Sequence, residues 1–249
     1  MDKIDQIKSL LKSSKNIVVI SGAGISTASG IPDIRSNNGA MNNYELNKKY
    51  HYDYETIVSH DFFYTHTREF FNYYKEVMVH KDAKPNEAHR FLKQLEKDHH
   101  VTIITQNIDG LHSLARSTNI IEFHGSIRRN YCVTCHEEYP LSYILSSKEV
   151  PHCKKCHSLI KLDVVLFGEA INEENIRSSL KALHEADLLL VIGSSLSVYP
   201  ANSLVYEFKG KNSILINKEE TPLDNFFNFL LHDDIIKVIK QLRYEKSSL

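Results

Sequence analysis

Five short apolar runs constrain the fold more than any other feature of the sequence. They are rich in Val, Ile and Leu, and they cover residues 16–20, 101–105, 164–167, 187–192 and 213–217. Short runs without polar alternation are typical of strands buried on both faces of a parallel sheet. Apolar residues at helical spacing, such as Ile4, Ile7 and Leu11, precede several of the runs. The sequence therefore predicts an α/β fold with a doubly wound, Rossmann-like parallel sheet.

Two segments interrupt this alternation and predict a smaller, inserted domain within one catalytic region. Residues 36–99 contain a helical module with an aromatic stripe that includes Phe62, Phe63 and Phe70, and residues 128–162 contain all four cysteines. We expect the large domain to consist of the remaining segments, 1–35, 100–127 and 163–249.

Charge and hydropathy exclude several classes of protein. The 249 residues include 30 basic and 31 acidic side chains, so no global positive field favours nucleic acid, and we expect no direct nucleic-acid binding. The longest apolar stretches, such as 188–192, are far shorter than the roughly twenty residues of a membrane span. The charged N-terminus has no apolar signal region. We expect a cytoplasmic protein without membrane contact.

The cysteines form two C-x2-C pairs separated by the 17 residues 136–152. This spacing is typical of a zinc ribbon, and a reducing compartment opposes disulfides. Four thiolates close a tetrahedral site, so one structural zinc ion is expected at Cys132, Cys135, Cys153 and Cys156. A zinc knuckle that binds nucleic acid is the alternative, but the glutamates between the pairs do not favour phosphate.

A glycine-containing turn, Gly22-Ala23-Gly24, follows the first apolar run directly. Backbone N–H groups at such a turn, together with the start of a helix, favour a pyrophosphate. Thr27 replaces the third glycine of the dinucleotide fingerprint, so a purely structural tight turn is the alternative. No clean strand with a ribose-binding acid ends near residue 45. The pattern therefore favours nucleotide chemistry other than hydride transfer.

Polar residues also follow the second run, where Gln106, Asn107 and Asp109 come at the expected carboxyl end of a strand. Ligands bind at such ends in open α/β sheets. His124 follows a further short strand-like segment and is a candidate general base. The chain has 14 histidines, and we expect most of them at the surface or at helix caps. A surface or capping role is therefore the alternative for His124.

Together these segments resemble the motifs of the sirtuins, a family of NAD-dependent protein deacylases, in a bacterial-type member that contains zinc. The matching segments follow the order of the family and are residues 22–26, 30–36, 105–112, 124–126, both cysteine pairs, 164–169, 193–201 and 216–219. The resemblance implies that NAD is a consumed co-substrate and that acyl-lysine proteins are the partners. It makes no prediction of oligomeric state.

The resemblance also implies roles for individual residues. His124 and Asn107 would be catalytic, with His124 deprotonating the ribose after the acyl oxygen has displaced nicotinamide to form an alkylimidate. The products would be lysine, nicotinamide and O-acyl-ADP-ribose. The residues implied to contact NAD are Gly22, Ala23, Gly24, Ser26, Thr27, Asp33, Ile34, Arg35, Gln106, Asn107, Ile108, Asp109, His124, Gly193, Ser194, Ser195, Asn217 and Ile235.

Substrate peptide would add as a strand between two edges of the protein. This mode relies on main-chain hydrogen bonds and tolerates many sequences. The residues implied are Val164, Val165, Phe167, Gly168, Glu169 and Val198. A simple core strand is the alternative for Val164 and Val165, and a purely structural helix is the alternative for the segment that contains Ile235.

The sequence departs from the family at positions that affect specificity. Ile34 stands where the family usually has Phe, which predicts altered nicotinamide inhibition, whereas Ser194 in place of Thr conserves hydrogen bonding. Members that remove succinyl or malonyl groups carry a Tyr-x-x-Arg pair, and Phe71 and Tyr74 align with it. Without a guanidinium an acidic acyl group has no partner, so we expect acetyl or longer neutral groups as substrates.

Two other functions stay open at this stage. Mono-ADP-ribosyl transfer to protein uses the same cleavage of NAD, although such a transferase need not keep a base at His124. A zinc-ribbon NAD sensor would bind NAD without turnover. Each leaves more of the motifs unexplained than deacylation does.

Overall fold

The computed structural model describes residues 2–33 and 48–243, and its strands form two sheets. The strands are β1 (Asn16–Ser21), β2 (His100–Thr105), β3 (Ile120–Glu122), β4 (Gly125–Cys132), β5 (Glu138–Pro140), β6 (Ile160–Val164), β7 (Leu188–Ile192), β8 (Asn212–Ile216) and β9 (Phe229–Leu231). The larger sheet has six strands in the order β3-β2-β1-β7-β8-β9, and every pair in it is parallel. The chain order reverses between β1 and β7, the position at which ligands bind in such sheets.

The helices pack on this framework, and several of them begin at polar caps. They are α1 (Lys3–Ser13), α2 (Tyr54–Ile57), α3 (His60–Thr65), α4 (Thr67–Tyr73), α5 (Glu87–Leu95), α6 (Leu111–Leu114), α7 (Leu141–Ser146), α8 (Glu173–Glu185) and α9 (Ile235–Leu242). Side chains of Asp2, Asn86, Asn172 and Asp234 accept backbone N–H groups of the first turns of α1, α5, α8 and α9. Within the described ranges, no helix has the length and apolar character needed to cross a membrane.

Four of the five apolar runs correspond to β1, β2, β7 and β8 of the parallel sheet. The prediction for residues 164–167 was wrong. Val164 ends β6, which pairs antiparallel with β4 in a separate three-stranded sheet of order β5-β4-β6. A short apolar run shows that a strand is buried, but it does not identify the neighbour to which the strand pairs.

The two sheets have separate apolar cores. An apolar cluster covers each face of the parallel sheet. Ala88, Phe91 and Leu92 of α5 belong to one of these two clusters, although they lie in the predicted inserted segment 36–99. The three-stranded sheet packs instead against an aromatic cluster, which consists of Phe62, Phe63, Phe70, Phe71, Tyr73 and Tyr74. Its rings meet mostly edge to face, as for Phe63 and Phe70 with centroids 5.0 Å apart.

Candidate functional site

A cavity of about 760 Å³ lies at the carboxyl ends of the central parallel strands and extends to β4, β6 and the segment that follows β6. Its volume is within the range of small-molecule sites. Every predicted NAD or peptide residue in the described ranges lines it, whereas Ile34 and Arg35 lie outside those ranges. These lining residues are Gly22, Ala23, Gly24, Ser26, Thr27, Asp33, Gln106, Asn107, Ile108, Asp109, His124, Val164, Val165, Phe167, Gly168, Glu169, Val198, Gly193, Ser194, Ser195, Asn217 and Ile235.

The turns after β1 and β7 pack together so closely that only glycine fits. Gly24 donates its N–H to the carbonyl oxygen of Gly193 at 2.8 Å. A Cβ on Gly22 would lie 2.7 Å from that oxygen, and one on Gly193 would lie 2.3 Å from the nitrogen of Ile25. Gly193 also has a φ of +64°, which side chains rarely adopt. The expected helix after β1 forms as a 3₁₀ helix, Ala23–Ser29.

A partly buried polar network joins this turn to the loop after β2. Ser26 donates to Asp109 Oδ2 at 2.7 Å, and Leu111 donates its backbone N–H to Asp109 Oδ1 at 2.8 Å. Asn107 Nδ2 donates to the Gly22 carbonyl at 3.1 Å and to Ser26 Oγ at 3.2 Å. Burial raises the pKa of Asp109, and the two hydrogen bonds oppose that rise. The network fixes both loops against each other.

His124 is held in one tautomer that leaves an acceptor nitrogen. Its Nδ1 lies 3.0 Å from the carbonyl oxygen of Gln106. Because a carbonyl only accepts, Nδ1 carries the proton and Nε2 keeps its lone pair. Burial lowers the pKa of His124, and the bond to Gln106 partly opposes this. The neutral imidazole is therefore favoured near neutral pH, as a general base requires.

The segment after β6 is anchored by a partly buried ion pair that sequence reasoning missed. Glu169 accepts from Lys161 Nζ, from the Leu166 backbone and from His60 Nδ1, each at 3.0 Å. Lys161 is only 7% exposed and also donates to the carbonyl of Val164 at 3.0 Å. The strand also contains Asp163, so no local pattern in the sequence revealed this pair.

The positions that align with the Tyr-x-x-Arg pair lie in the aromatic cluster. Phe71 and Tyr74 are 2% and 0% exposed and do not line the cavity. Tyr74 donates a hydrogen bond to the carbonyl of Ile127, a residue that does line it. The wall on this side includes Val77 and Met78 from a π-helical turn, which the sequence did not reveal. No arginine lines the cavity within the described parts of the chain.

The four cysteines form a compact cluster outside the cavity. Their Sγ atoms all lie within 4.8 Å of one another, with Cys132 and Cys156 3.3 Å apart and Cys135 and Cys153 3.5 Å apart. A tetrahedral zinc site with bonds of about 2.3 Å places its sulfurs about 3.8 Å apart, so the donor set and its spacing fit zinc. None of the four is in a disulfide. The cluster could hold a zinc ion that joins the hairpins at the end of the three-stranded sheet.

Comparisons with known proteins agree with this geometry. The chain is 46% identical over 242 residues to an NAD-dependent protein deacetylase of Clostridium acetobutylicum, covering 96% of this chain and 98% of the relative. Its identity to the protein of the same name from Clostridium perfringens is 48% over 240 residues, covering 96% and 97%.

Solved structures of similar proteins contain acylated or deacylated peptides. One is a Sir2 protein with a deacetylated p53 peptide and 3′-O-acetyl-ADP-ribose, with a TM-score of 0.87, 36% identity and 97% coverage of both chains. Another is Sir2Tm with a propionylated peptide, with a TM-score of 0.83, 35% identity and the same coverage. The profile of the Sir2 family matches residues 22–200. The chain therefore belongs to the Sir2 family, as its sirtuin-like motifs indicated.

Proposed function

We propose that this protein is an NAD-dependent protein-lysine deacetylase that transfers the acyl group to ADP-ribose. The main support is the meeting of its separate motifs around one cavity, where His124 presents Nε2 as an acceptor. The close packing of the glycine turns after β1 and β7 places the start of the 3₁₀ helix Ala23–Ser29 at the cavity, where the positive end of a helix favours a pyrophosphate. Relatives that share nearly the whole chain carry the same activity in their names.

Each group of residues has a distinct role in this proposal. Gly22, Ala23, Gly24, Ser26 and Thr27 bind the pyrophosphate side, and Gly193, Ser194, Ser195, Asn217 and Ile235 bind the adenosine side. Asp33, Ile34, Arg35, Gln106, Ile108 and Asp109 surround nicotinamide and its ribose. Asn107 orients the reacting ribose, and His124 takes a proton from a ribose hydroxyl through Nε2.

Acyl-lysine protein binds as an added strand in the same proposal. Val164, Val165, Phe167, Gly168 and Glu169 form one edge, and Val198 lies on the other. The acyl group is neutral, because no arginine of the described cavity wall could pair with an acidic one. Acetyl and longer neutral chains therefore react, and succinyl and malonyl groups do not.

The cysteine cluster and the inserted segments have a supporting role. Cys132, Cys135, Cys153 and Cys156 hold one structural zinc ion, and the two sheets represent a large and a small domain. Free cysteines arranged to bind metal suit a reducing compartment, so we propose a cytoplasmic location.

The test is to incubate the purified protein with NAD and an acetyl-lysine peptide, and to follow peptide and nucleotide by mass spectrometry. We expect deacetylated peptide, nicotinamide and O-acetyl-ADP-ribose in equal amounts. ADP-ribose on protein with the acetyl group retained would support a mono-ADP-ribosyltransferase instead, and NAD binding without turnover would support a sensor. A matched succinyl-lysine peptide should stay intact.

A further inference from the structure

Two buried histidines behind the cavity take no direct part in the proposed reaction. His89 on α5 is 0% exposed and His112 on α6 is 2% exposed. Their rings lie 4.9 Å apart between centroids and are tilted by 57°. Burial lowers the pKa of His89 to about 3 and that of His112 to about 4, so both rings are neutral near neutral pH. Each ring then has one donor and one acceptor nitrogen.

Each ring has one hydrogen bond, and the bond of His89 defines its tautomer. His89 Nδ1 accepts the backbone N–H of Asn86 at 3.4 Å, so its proton is on Nε2. His112 Nε2 lies 2.8 Å from Ser21 Oγ. The other two ring nitrogens, His89 Nε2 and His112 Nδ1, are buried and have no hydrogen-bond partner among the described residues, each other included. The contact between the two rings is therefore one of packing, and the hydrogen bonds to Asn86 and Ser21 hold the ring on each side.

The histidine pair connects elements that carry the walls of the nucleotide cavity. Ser21 immediately precedes Gly22 at the end of β1. On the other side, the Asn86 side chain donates to the carbonyl of Ile25 at 2.7 Å and to Ser29 Oγ at 2.9 Å. His112 lies in the short helix whose first N–H, at Leu111, binds Asp109. The pair therefore links the glycine turn, the 3₁₀ helix after it and the loop that carries Asp109.

We propose that His89 and His112 are positioning residues that hold the turn after β1 and the loop after β2 in the arrangement that binds NAD. The pair does not touch the cavity, since neither ring lines it. Its contribution is the fixed spacing between Ser21 and Asn86, which sets the positions of the N–H groups at Gly22–Ala28 relative to Asp109. This inference rests on the proposed function, because it assumes that the cavity binds NAD.

The test compares NAD dissociation constants, by calorimetry, with melting temperatures for matched variants. His112→Leu removes both hydrogen-bonding nitrogens, and we expect at least tenfold weaker NAD binding. His112→Gln keeps a polar amide that can hydrogen-bond to Ser21, and we expect binding within threefold of wild type. His89→Asn keeps an acceptor for the Asn86 N–H but loses the ring that packs on His112, and we expect a loss close to that of His112→Leu.

A control separates positioning from general destabilisation. Ser179 on α8 is also fully buried with an unpartnered hydroxyl, but it lies away from the cavity, so Ser179→Ala should leave NAD binding unchanged. Unchanged NAD binding in His89→Asn and His112→Leu would overturn the proposal. Losses of NAD affinity that merely follow the decrease in melting temperature in all variants, including Ser179→Ala, would also overturn it. If wild type itself binds no NAD, the proposed function fails, and this inference fails with it.

Discussion

The nucleotide side of the cavity and the cysteine-containing side are stabilised in different ways. On the nucleotide side, backbone contacts such as that between Gly24 and Gly193 leave no space for a side chain. On the other side, aromatic rings pack on a three-stranded sheet whose far end holds four thiols. The nucleotide side thus depends on main-chain positions set by the parallel sheet. The other side depends on side chains and on a metal, so the two should fail under different perturbations.

Loss of the metal should have the largest effect, confined at first to the cysteine side. Structural zinc contributes on the order of 10 kcal/mol to the folding of small zinc modules. We expect Cys153→Ala to abolish bound zinc, measured by elemental analysis, and to increase hydrogen exchange in β4 and β6 while β1 and β7 stay protected. Equal exchange in both sheets would contradict the separation of the two regions.

A methyl group on Gly193 should have the next largest effect, on the nucleotide side. Gly193→Ala places a carbon 2.3 Å from the Ile25 nitrogen and requires strained backbone, so we expect at least a hundredfold loss of NAD affinity. Gly30→Ala is the matched control, because Gly30 has a φ of +82° but no atom within 4 Å of the added carbon. It should cost about 1–2 kcal/mol of stability from the backbone alone and keep NAD binding.

Loss of the Lys161–Glu169 ion pair should weaken peptide binding more than NAD binding. Lys161→Met leaves a mostly buried carboxylate without its cation, which typically costs about 3–5 kcal/mol of stability. We expect the KM for the acetyl peptide to rise at least tenfold and the NAD dissociation constant to change less than threefold. The double variant Lys161→Met with Glu169→Gln should recover much of the stability. A parallel loss of NAD affinity would show that the two sides are not separable.

The smallest effect is a pH dependence of stability from the buried histidine pair. The folded pKa values of His89 and His112, about 3 and about 4, lie below the ordinary value near 6.5. The unfolded chain therefore binds more protons as pH falls below about 6.5, and the free energy of unfolding should decrease by up to about 1.4 kcal/mol per pH unit for each histidine. Urea titrations between pH 7 and pH 5 should show a smaller decrease in His112→Gln. An equal slope in both proteins would contradict this assignment.

The parts of the fold visible in the sequence are those coded by local patterns. β1, β2, β7 and β8 are continuous apolar runs, and the motif residues around them meet at the strand ends as the parallel topology requires. The edge strand β9 has three half-buried residues and gave no comparable signal. The antiparallel pairing of β6 depends on β4, which lies almost thirty residues earlier, so no local pattern could reveal it.

Long-range polar pairs were equally hidden. Glu169 binds Lys161, but it meets His60 only after two distant segments fold together, and His89 meets His112 across two helices. Each side chain alone resembles an ordinary surface or capping residue in the sequence. The substitution of Ile34 for the usual Phe lies outside the described residues, so its effect on nicotinamide inhibition stays a prediction.

The central claim is that His124 acts as a base on the ribose after nicotinamide has left. The most direct measurement compares wild type and His124→Ala for NAD affinity, exchange of labelled nicotinamide into NAD with acetyl peptide present, and formation of deacetylated peptide. General-base catalysis contributes roughly a hundredfold or more. We predict that His124→Ala binds NAD within threefold of wild type and still exchanges nicotinamide, but forms deacetylated peptide at least a hundredfold more slowly. Deacetylation at the wild-type rate in this variant would contradict the account.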